Sequence, residues 1–228
     1  MEILRLGSLN VRSLGPQGAG AVLLCHGFGA PGDDLVPLAE ALDPELRWRW
    51  LFPEAPLDLR SQGVPGRAWW HIDILRLQRA VMSGETDALV RETPEGLAAV
   101  HALLEGAVEA LGVPREKLVV GGFSQGAMLA TDLALGSSAP FAGLTVLSGA
   151  LVSREAWRSA AEALGPKLHV FQSHGRADPI LPFGGAELLR DLLAGAGAQV
   201  QFVPHGGGHE IPPPALRGLH AFLTARLG

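Results

Sequence analysis

The stretch Val119-Val120-Gly121-Gly122-Phe123-Ser124-Gln125-Gly126-Ala127-Met128 constrains this chain more than any other. An apolar run from Leu118 to Val120 meets two glycines, a serine stands between Gly122 and Gly126, and a helical apolar pattern follows. This is G-x-S-x-G set between a strand and a helix, the arrangement of a nucleophile elbow. The turn is so sharp that the serine backbone is strained, and only small residues two positions either side leave room for it. The strain lifts the hydroxyl above the sheet, where the N-terminus of the following helix points at it. Five loosely constrained letters match by chance in many chains. What decides is context: strand before, helix after, then an acid and a histidine further on.

The rest of the chain supplies a frame for such a turn. Glu2 to Leu6 and Leu9 to Leu14 alternate about Gly7-Ser8 and predict an N-terminal hairpin or edge strands. Ala19 to Cys25 is a continuous apolar run, as expected of a strand buried on both faces. Leu35, Leu38, Ala39 and Leu42 recur at helical spacing, and Trp48 to Phe52 reads as the next strand. Thr93-Pro94-Glu95 predicts a capped helix with proline at its first position, continuing to Leu111 and closed by Gly112. Strands at Phe141–Leu147, Leu168–Gln172 and Val200–Val203 alternate with helices opened by Ser153, running from Gly184 to Ala194, and running from Pro214 to Leu227. Alternation with helical crossovers implies a doubly wound, mostly parallel sheet flanked by helices in an α/β domain. No internal repeat or linker divides the chain, so residues 1–228 are expected to form one domain. Residues 57–93 lack a clean period. So long a segment reads as a lid or pocket wall, and its adjacent Trp69 and Trp70 carry apolar surface that seeks cover.

Bulk properties narrow the function classes. The length of 228 residues fits one α/β domain, and 47% hydrophobic residues suffice for a sizeable core. With 18 basic against 23 acidic residues the net charge is −5, which argues against a nucleic-acid partner. The single cysteine, Cys25, allows neither an internal disulfide nor a cysteine-based zinc site. The N-terminus shows no basic segment followed by an apolar core, and the longest apolar stretch, Phe141 to Val152, falls short of the ~18 residues of a membrane span. A cytoplasmic location without stable membrane insertion is the expectation.

In an open parallel sheet, ligands bind beyond the carboxyl ends of the strands. A serine needs a base within hydrogen-bond reach and an acid to orient that base. Among acids after Ser124, Asp132, Glu155, Glu162, Glu187 and Asp191 fall inside predicted helices. Asp178 alone sits in a glycine-containing loop directly past a strand, stiffened by Pro179. Of the eight histidines, His101, His169 and His220 fall within predicted elements, whereas His209 follows Gly206-Gly207-Gly208 in a loop past the next strand. His205, closer to the strand, ranks second. The order Ser124, Asp178, His209 is that of an α/β-hydrolase. A developing oxyanion needs backbone donors, each worth roughly 3 kcal/mol. The N–H of Gln125 is one, and the N–H of Phe28, held between Gly27 and Gly29, is the other; His26 reads as positioning that loop.

These residues carry a resemblance. His26-Gly27-Phe28-Gly29 with Asp33 and Asp34, Phe52-Pro53-Glu54-Ala55-Pro56, Ala68-Trp69-Trp70, Gly122-Phe123-Ser124-Gln125-Gly126-Ala127, His174-Gly175-Arg176-Ala177-Asp178-Pro179 and Gly208-His209-Glu210-Ile211 run in order over nearly the whole chain. The chain resembles the carboxylesterase/phospholipase family of α/β-hydrolases, which includes acyl-protein thioesterases and small bacterial carboxylesterases. The resemblance implies a Ser124–His209–Asp178 triad and an oxyanion hole from Phe28 and Gln125. One departure falls at Trp69-Trp70-His71, with Asp73 later, where the thioesterases usually show Trp-Phe-Asp. Acyl preference is therefore not carried over.

Rival chemistries fit less well. Cys25 ends a buried strand, where a thiol is inert packing. His205 and His209 would share a zinc only on a helix, which three intervening glycines oppose, and Gly27-Phe28-Gly29 lacks the Lys-Ser/Thr of a P-loop. A catalytically silent binding module would be expected to have lost a triad member, yet all three positions are occupied. The expectation is thus an esterase acting on a small-molecule ester of short to medium acyl chain, with lysophospholipid or acyl thioester as alternatives. Trp69, Trp70 and Phe28 are expected to line an apolar acyl pocket. No metal or organic cofactor is implied, and exposed apolar residues in 57–93 would support a homodimer.

Overall fold

A strand that is apolar at every position has to lie between two layers, and Ala21–Cys25 does: every one of its side chains is buried. The structure is a computed structural model that describes residues 1–228 except Ala19 and Thr86. Ala19, where the sequence pattern starts this strand, and Thr86, in the polar turn expected around 83–87, therefore lie outside the described residues. In chain order the strands are β1 (Glu2–Leu6), β2 (Leu9–Leu14), β3 (Ala21–Cys25), β4 (Arg49–Pro53), β5 (Leu57–Asp58), β6 (Arg67–Ala68), β7 (Leu118–Phe123), β8 (Gly143–Leu147), β9 (His169–Gly175) and β10 (Gln199–His205). The helices are α1 (Pro37–Leu42), α2 (Ile74–Ser83), α3 (Asp87–Arg91), α4 (Leu97–Leu111), α5 (Gln125–Gly136), α6 (Arg154–Leu164), α7 (Phe183–Gly195) and α8 (Pro213–Leu227).

Among the described residues eight strands form one sheet in the order β1-β2-β4-β3-β7-β8-β9-β10. The β1–β2 and β2–β4 pairs are antiparallel, and every pair from β4 through β3 to β10 is parallel. This is the doubly wound, mostly parallel sheet that the alternation predicts. Side chains leave β3 on both faces. Leu23 and Cys25 join one apolar cluster with Leu104, Leu129, Leu133 and Leu189 of the helices α4, α5 and α7. Val22 and Leu24 join the other, with Ala39 of α1 and Leu219 and Leu223 of α8. No helix among the described residues is long and apolar enough to cross a membrane.

Strand order reverses at β3, which has β4 on one side and β7 on the other. Loops leaving the carboxyl ends of β3, β7, β9 and β10 carry His26-Gly27-Phe28, Ser124, Asp178 and His209. That is the crevice in which open α/β sheets bind ligands.

Two local expectations are corrected. The helix expected to start at Pro94 begins at Leu97 instead, because Gly96 adopts a left-handed φ of 89° and breaks the chain's direction. Thr93 serves another purpose there: its hydroxyl accepts a hydrogen bond from Ser153 Oγ at 2.9 Å. Residues 57–93 also contain regular structure that no period announced, the short β5–β6 ladder and helices α2 and α3. Helix α2 is capped by Asp73, whose carboxylate accepts from the Arg76 N–H at 2.8 Å, yet it buries none of its residues. Its Ile74, Leu77 and Val81 do recur at helical spacing on one face, but over only ten residues of a longer segment that has no common period.

A second histidine–carboxylate pair ties helices together away from the strand ends. His101 Nδ1 lies 2.7 Å from Asp132 Oδ2, and Asp132 Oδ1 accepts from the Trp157 indole at 2.8 Å, linking α4, α5 and α6. The hydrogen bond to Asp132 raises the His101 pKa above its ordinary value, against the opposing effect of burial. A raised folded value stabilises fully below the unfolded value, about 6.5, and that contribution is lost as pH rises through the folded value. His101→Gln is therefore expected to lower the melting temperature more at about pH 5.5 than at about pH 9. Equal losses at both pH values would remove the charged pair from the account.

Candidate active site

The turn after β7 shows why its sequence is so restricted. Ser124 has φ 55° and ψ −119°, a conformation that residues with a side chain rarely adopt. Its N–H donates to the Leu147 carbonyl at 2.9 Å, which fixes the elbow against β8. A methyl group at Gly122 would stand 2.5 Å from the Cys25 carbonyl oxygen, and one at Gly126 only 2.1 Å from the same atom. Backbone of β3 thus packs directly on the turn. Any larger residue would push the serine away from the neighbouring loop.

The loop after β3 is held from several sides. Gly29 N–H donates to the Arg67 carbonyl at 2.8 Å and Ala30 N–H to the Gly27 carbonyl at 3.3 Å, so the turn closes around Phe28. His26 is buried, its Nδ1 2.8 Å from the Gly27 carbonyl and its Nε2 accepting from Ala55 N–H at 3.2 Å. This pattern requires Nδ1–H with a free Nε2 lone pair, a neutral ring. Burial lowers its pKa accordingly. Neither the N–H of Phe28 nor that of Gln125 meets an acceptor among the described residues. Both residues line a cavity of about 640 Å³ together with Ser124 and His209.

Asp178 and His209 meet although 31 positions separate them. Asp178 Oδ1 accepts from the N–H groups of Ile180 and Leu181, both at 2.9 Å, so the loop after β9 wraps its own carboxylate. Oδ2 lies 2.7 Å from His209 Nδ1. Burial alone would raise this carboxyl, but the His209 bond and the two backbone donors outweigh it and hold the pKa below the ordinary value. An ionised carboxylate only accepts, so Nδ1 of His209 carries the proton and Nε2 is left as an acceptor. The His209 ring packs on Phe123 at 4.7 Å between centroids, beside Ser124. No hydrogen bond closes between Ser124 Oγ and this ring among the described residues, and such contacts commonly tighten only when substrate is bound. His205, the second-ranked base, is a buried residue at the end of β10, and it does not line the Ser124 cavity.

Two supporting residues escaped the sequence reading. His174 is buried at the end of β9, its Nε2 2.8 Å from the Leu181 carbonyl and 3.3 Å from Asp178 Oδ2. Burial lowers its pKa, so a neutral ring stands behind the carboxylate. Only its place in the His174–Pro179 motif could have signalled this. Gln125 was expected to act through its backbone alone, yet its buried side chain clamps the following region. Oε1 accepts from Trp69 N–H at 3.0 Å and Nε2 donates to the Trp70 carbonyl at 2.8 Å. Gln125→Leu would leave both backbone groups buried and unpaired. The expected cost is about 1–3 kcal/mol per stranded group, read as a fall in melting temperature of several degrees. An unchanged melting temperature would deny the clamp.

The expected pocket wall is corrected in part. Trp69 is 1% exposed and lines neither cavity near the elbow; its indole N–H donates to the His26 carbonyl at 2.9 Å, so it braces the loop after β3. Its ring is taken up by the core, which the sequence alone could not separate from a pocket role. Trp70 does line a cavity, a second one of about 410 Å³ that adjoins the first through Ile72, Leu77, Met128 and Leu181. Phe28 lines the Ser124 cavity directly. Cys25 is fully buried, and burial pushes its thiol well above the ordinary range, so it offers no thiolate.

Comparison with known proteins places the chain in a family. Residues 7–227 match the family model described as phospholipase/carboxylesterase. An acyl-protein thioesterase 1 of Mycosarcoma maydis is 29% identical over 98% of this chain and 97% of its own length. Another, of Eremothecium gossypii, is 33% identical over 91% and 88%. Among solved structures, esterase PE8 superposes with a TM-score of 0.77 at 27% identity, covering 96% of this chain and 99% of the other.

Proposed function

The chain belongs to the phospholipase/carboxylesterase family of α/β-hydrolases and is an ester-cleaving hydrolase, and from that premise we propose that it cleaves carboxylic esters of short to medium acyl chain through an acyl-enzyme on Ser124. The observation that carries this reading is the 2.7 Å Asp178–His209 contact, with His209 and Ser124 lining one cavity. Nε2 of His209 takes the Ser124 proton as Oγ attacks the ester carbonyl. The N–H groups of Phe28 and Gln125 receive the oxyanion, each worth roughly 3 kcal/mol of barrier. His209 then protonates the departing alcohol. Water attacks the acyl-enzyme with His209 again as base, and the acid leaves. Asp178 holds the imidazole in the reactive tautomer and stabilises its charged form.

The cavity walls support this substrate class. The Ser124 cavity is bounded by Phe28, Ile72, Ile74, Leu77, Met128 and Leu181, which favours an apolar acyl group over a charged one. Thioester and lysophospholipid hydrolysis remain second readings, the former supported by the names of the fungal relatives. Two measurements test the reading. A fluorophosphonate probe is expected to label Ser124, and absence of label on folded protein would sink it. A p-nitrophenyl ester series, run beside an acyl thioester and a lysophospholipid, is expected to give its highest kcat/KM with short to medium esters.

A further inference from the structure

A residue outside the triad stands behind Asp178. Both carboxylate oxygens are occupied: Oδ1 takes the N–H groups of Ile180 and Leu181 at 2.9 Å, and Oδ2 lies 2.7 Å from His209 Nδ1. Leu181 therefore has two duties. Its N–H holds the acid, and the same residue lines both cavities near the elbow. What holds Leu181 in turn is His174, whose Nε2 lies 2.8 Å from the Leu181 carbonyl oxygen.

The surroundings of His174 leave its ring one state. It is fully buried at the end of β9. A carbonyl oxygen only accepts, so Nε2 carries the proton. Nδ1 meets no partner among the described residues, and a second proton there would be buried without an acceptor. The titratable groups that act on the ring are Asp178, His209 and, at the end of β10, His205; helix α7 presents the Phe183 ring, edge-on at 6.1 Å. Burial outweighs the attraction of Asp178 and keeps the ring neutral. The Nε2–H also stands 3.3 Å from Asp178 Oδ2, which sets the positive end of its dipole beside the carboxylate without making a second hydrogen bond.

We propose that His174 is a positioning residue for the Ser124 reaction: its Nε2–H fixes the Leu181 carbonyl, so that the Leu181 N–H stays on Asp178 and the carboxylate keeps its aim at His209. The inference rests on the ester-hydrolase reading above and adds to it the side chain that holds the acid. Without the His174 donor, Leu181 is freed, and the carboxylate loses one N–H partner and the dipole beside Oδ2. A less stabilised carboxylate is the stronger acceptor, so the Asp178–His209 pair keeps its proton to higher pH.

The test compares three substitutions in the full chain. His174→Gln sets an amide N–H near the place of Nε2, the shorter His174→Asn stops near Nδ1, and His174→Leu has no donor. With p-nitrophenyl butyrate, the asparagine and leucine variants are expected to lose about ten- to hundredfold in kcat with KM little changed, as a small misplacement near the reacting groups does. The acid limb of their kcat/KM profile is expected to move up by about half a pH unit or more. The glutamine variant should recover most of the kcat and the wild-type limb. Asparagine keeps the site polar, so the contrast with glutamine stands even where leucine unfolds the chain. Nitrogen NMR of the wild-type imidazoles should show His174 neutral, with its proton on Nε2, from about pH 5.5 to about pH 8. Wild-type kcat and acid limb in the asparagine variant overturn the role, as does a glutamine variant that loses as much as asparagine. So does a rise in KM alone, or a His174 that titrates in this range or carries its proton on Nδ1. No ester hydrolysis by wild type would count against the ester-hydrolase reading instead, and the spectra would still decide the state of His174.

Discussion

Ser124→Ala is expected to lower ester turnover by a factor on the order of 10⁴ to 10⁶ while leaving the protein folded, because nucleophile and base act as one unit. What remains would come from the oxyanion donors, which the substitution leaves in place. The same position permits a sharper check. At φ 55° and ψ −119°, alanine inherits the backbone strain of serine, since both carry Cβ. Ser124→Gly removes that strain, about 1–3 kcal/mol, against roughly 1 kcal/mol of extra chain entropy lost on folding. Both variants should therefore be inactive, with the glycine form no less stable than the alanine form in thermal melts. Substantial activity in either would remove Ser124 from the mechanism.

Asp178→Asn comes next in size, with a fall of about 10⁴-fold in kcat and little change in structure. Asparagine can still accept the N–H groups of Ile180 and Leu181 through its carbonyl oxygen, so the loop after β9 keeps its shape. Its amide would face Nδ1 of His209, turn that nitrogen into an acceptor, and leave the proton on Nε2, where Ser124 needs a base. A matching stability effect follows from the depressed carboxyl pKa. A lowered folded value contributes stability above the unfolded value, about 3.9, and that contribution is lost as pH falls through the folded value. The stability gap between wild type and Asp178→Asn should thus be full at neutral pH and close in acid. A kcat within tenfold of wild type would show that Asp178 does not orient the base.

The legible parts of this protein are those fixed by local stereochemistry or by a strict period. G-x-S-x-G announced the elbow because glycine at 122 and 126 leaves room for the Cys25 carbonyl, whose oxygen a Cβ at either position would meet at 2.5 Å or less. β3 was legible because burial on both faces demands an unbroken apolar run. Thr93-Pro94 misled because a capping signature is local, and the left-handed Gly96 three residues on overrides it. Helix α2 stayed hidden because its helical spacing spans only ten residues within a longer segment of no common period.

By itself, then, the amino-acid order determined the doubly wound α/β frame, the strained serine at a strand end, and the short set of loop residues that could serve it. Chemistry of that kind is written in residue type and spacing. The tertiary structure alone decided how Asp178 comes to lie 2.7 Å from His209, and that Trp69 braces the His26 carbonyl while Trp70 faces a cavity. It also decided that Gln125 clamps both tryptophans through its side chain, and that the apolar residues of α2 stand in solvent at the cavity mouth. These are contacts between segments distant in sequence. They depend on how the sheet and helices pack, and no window along the chain contains that information.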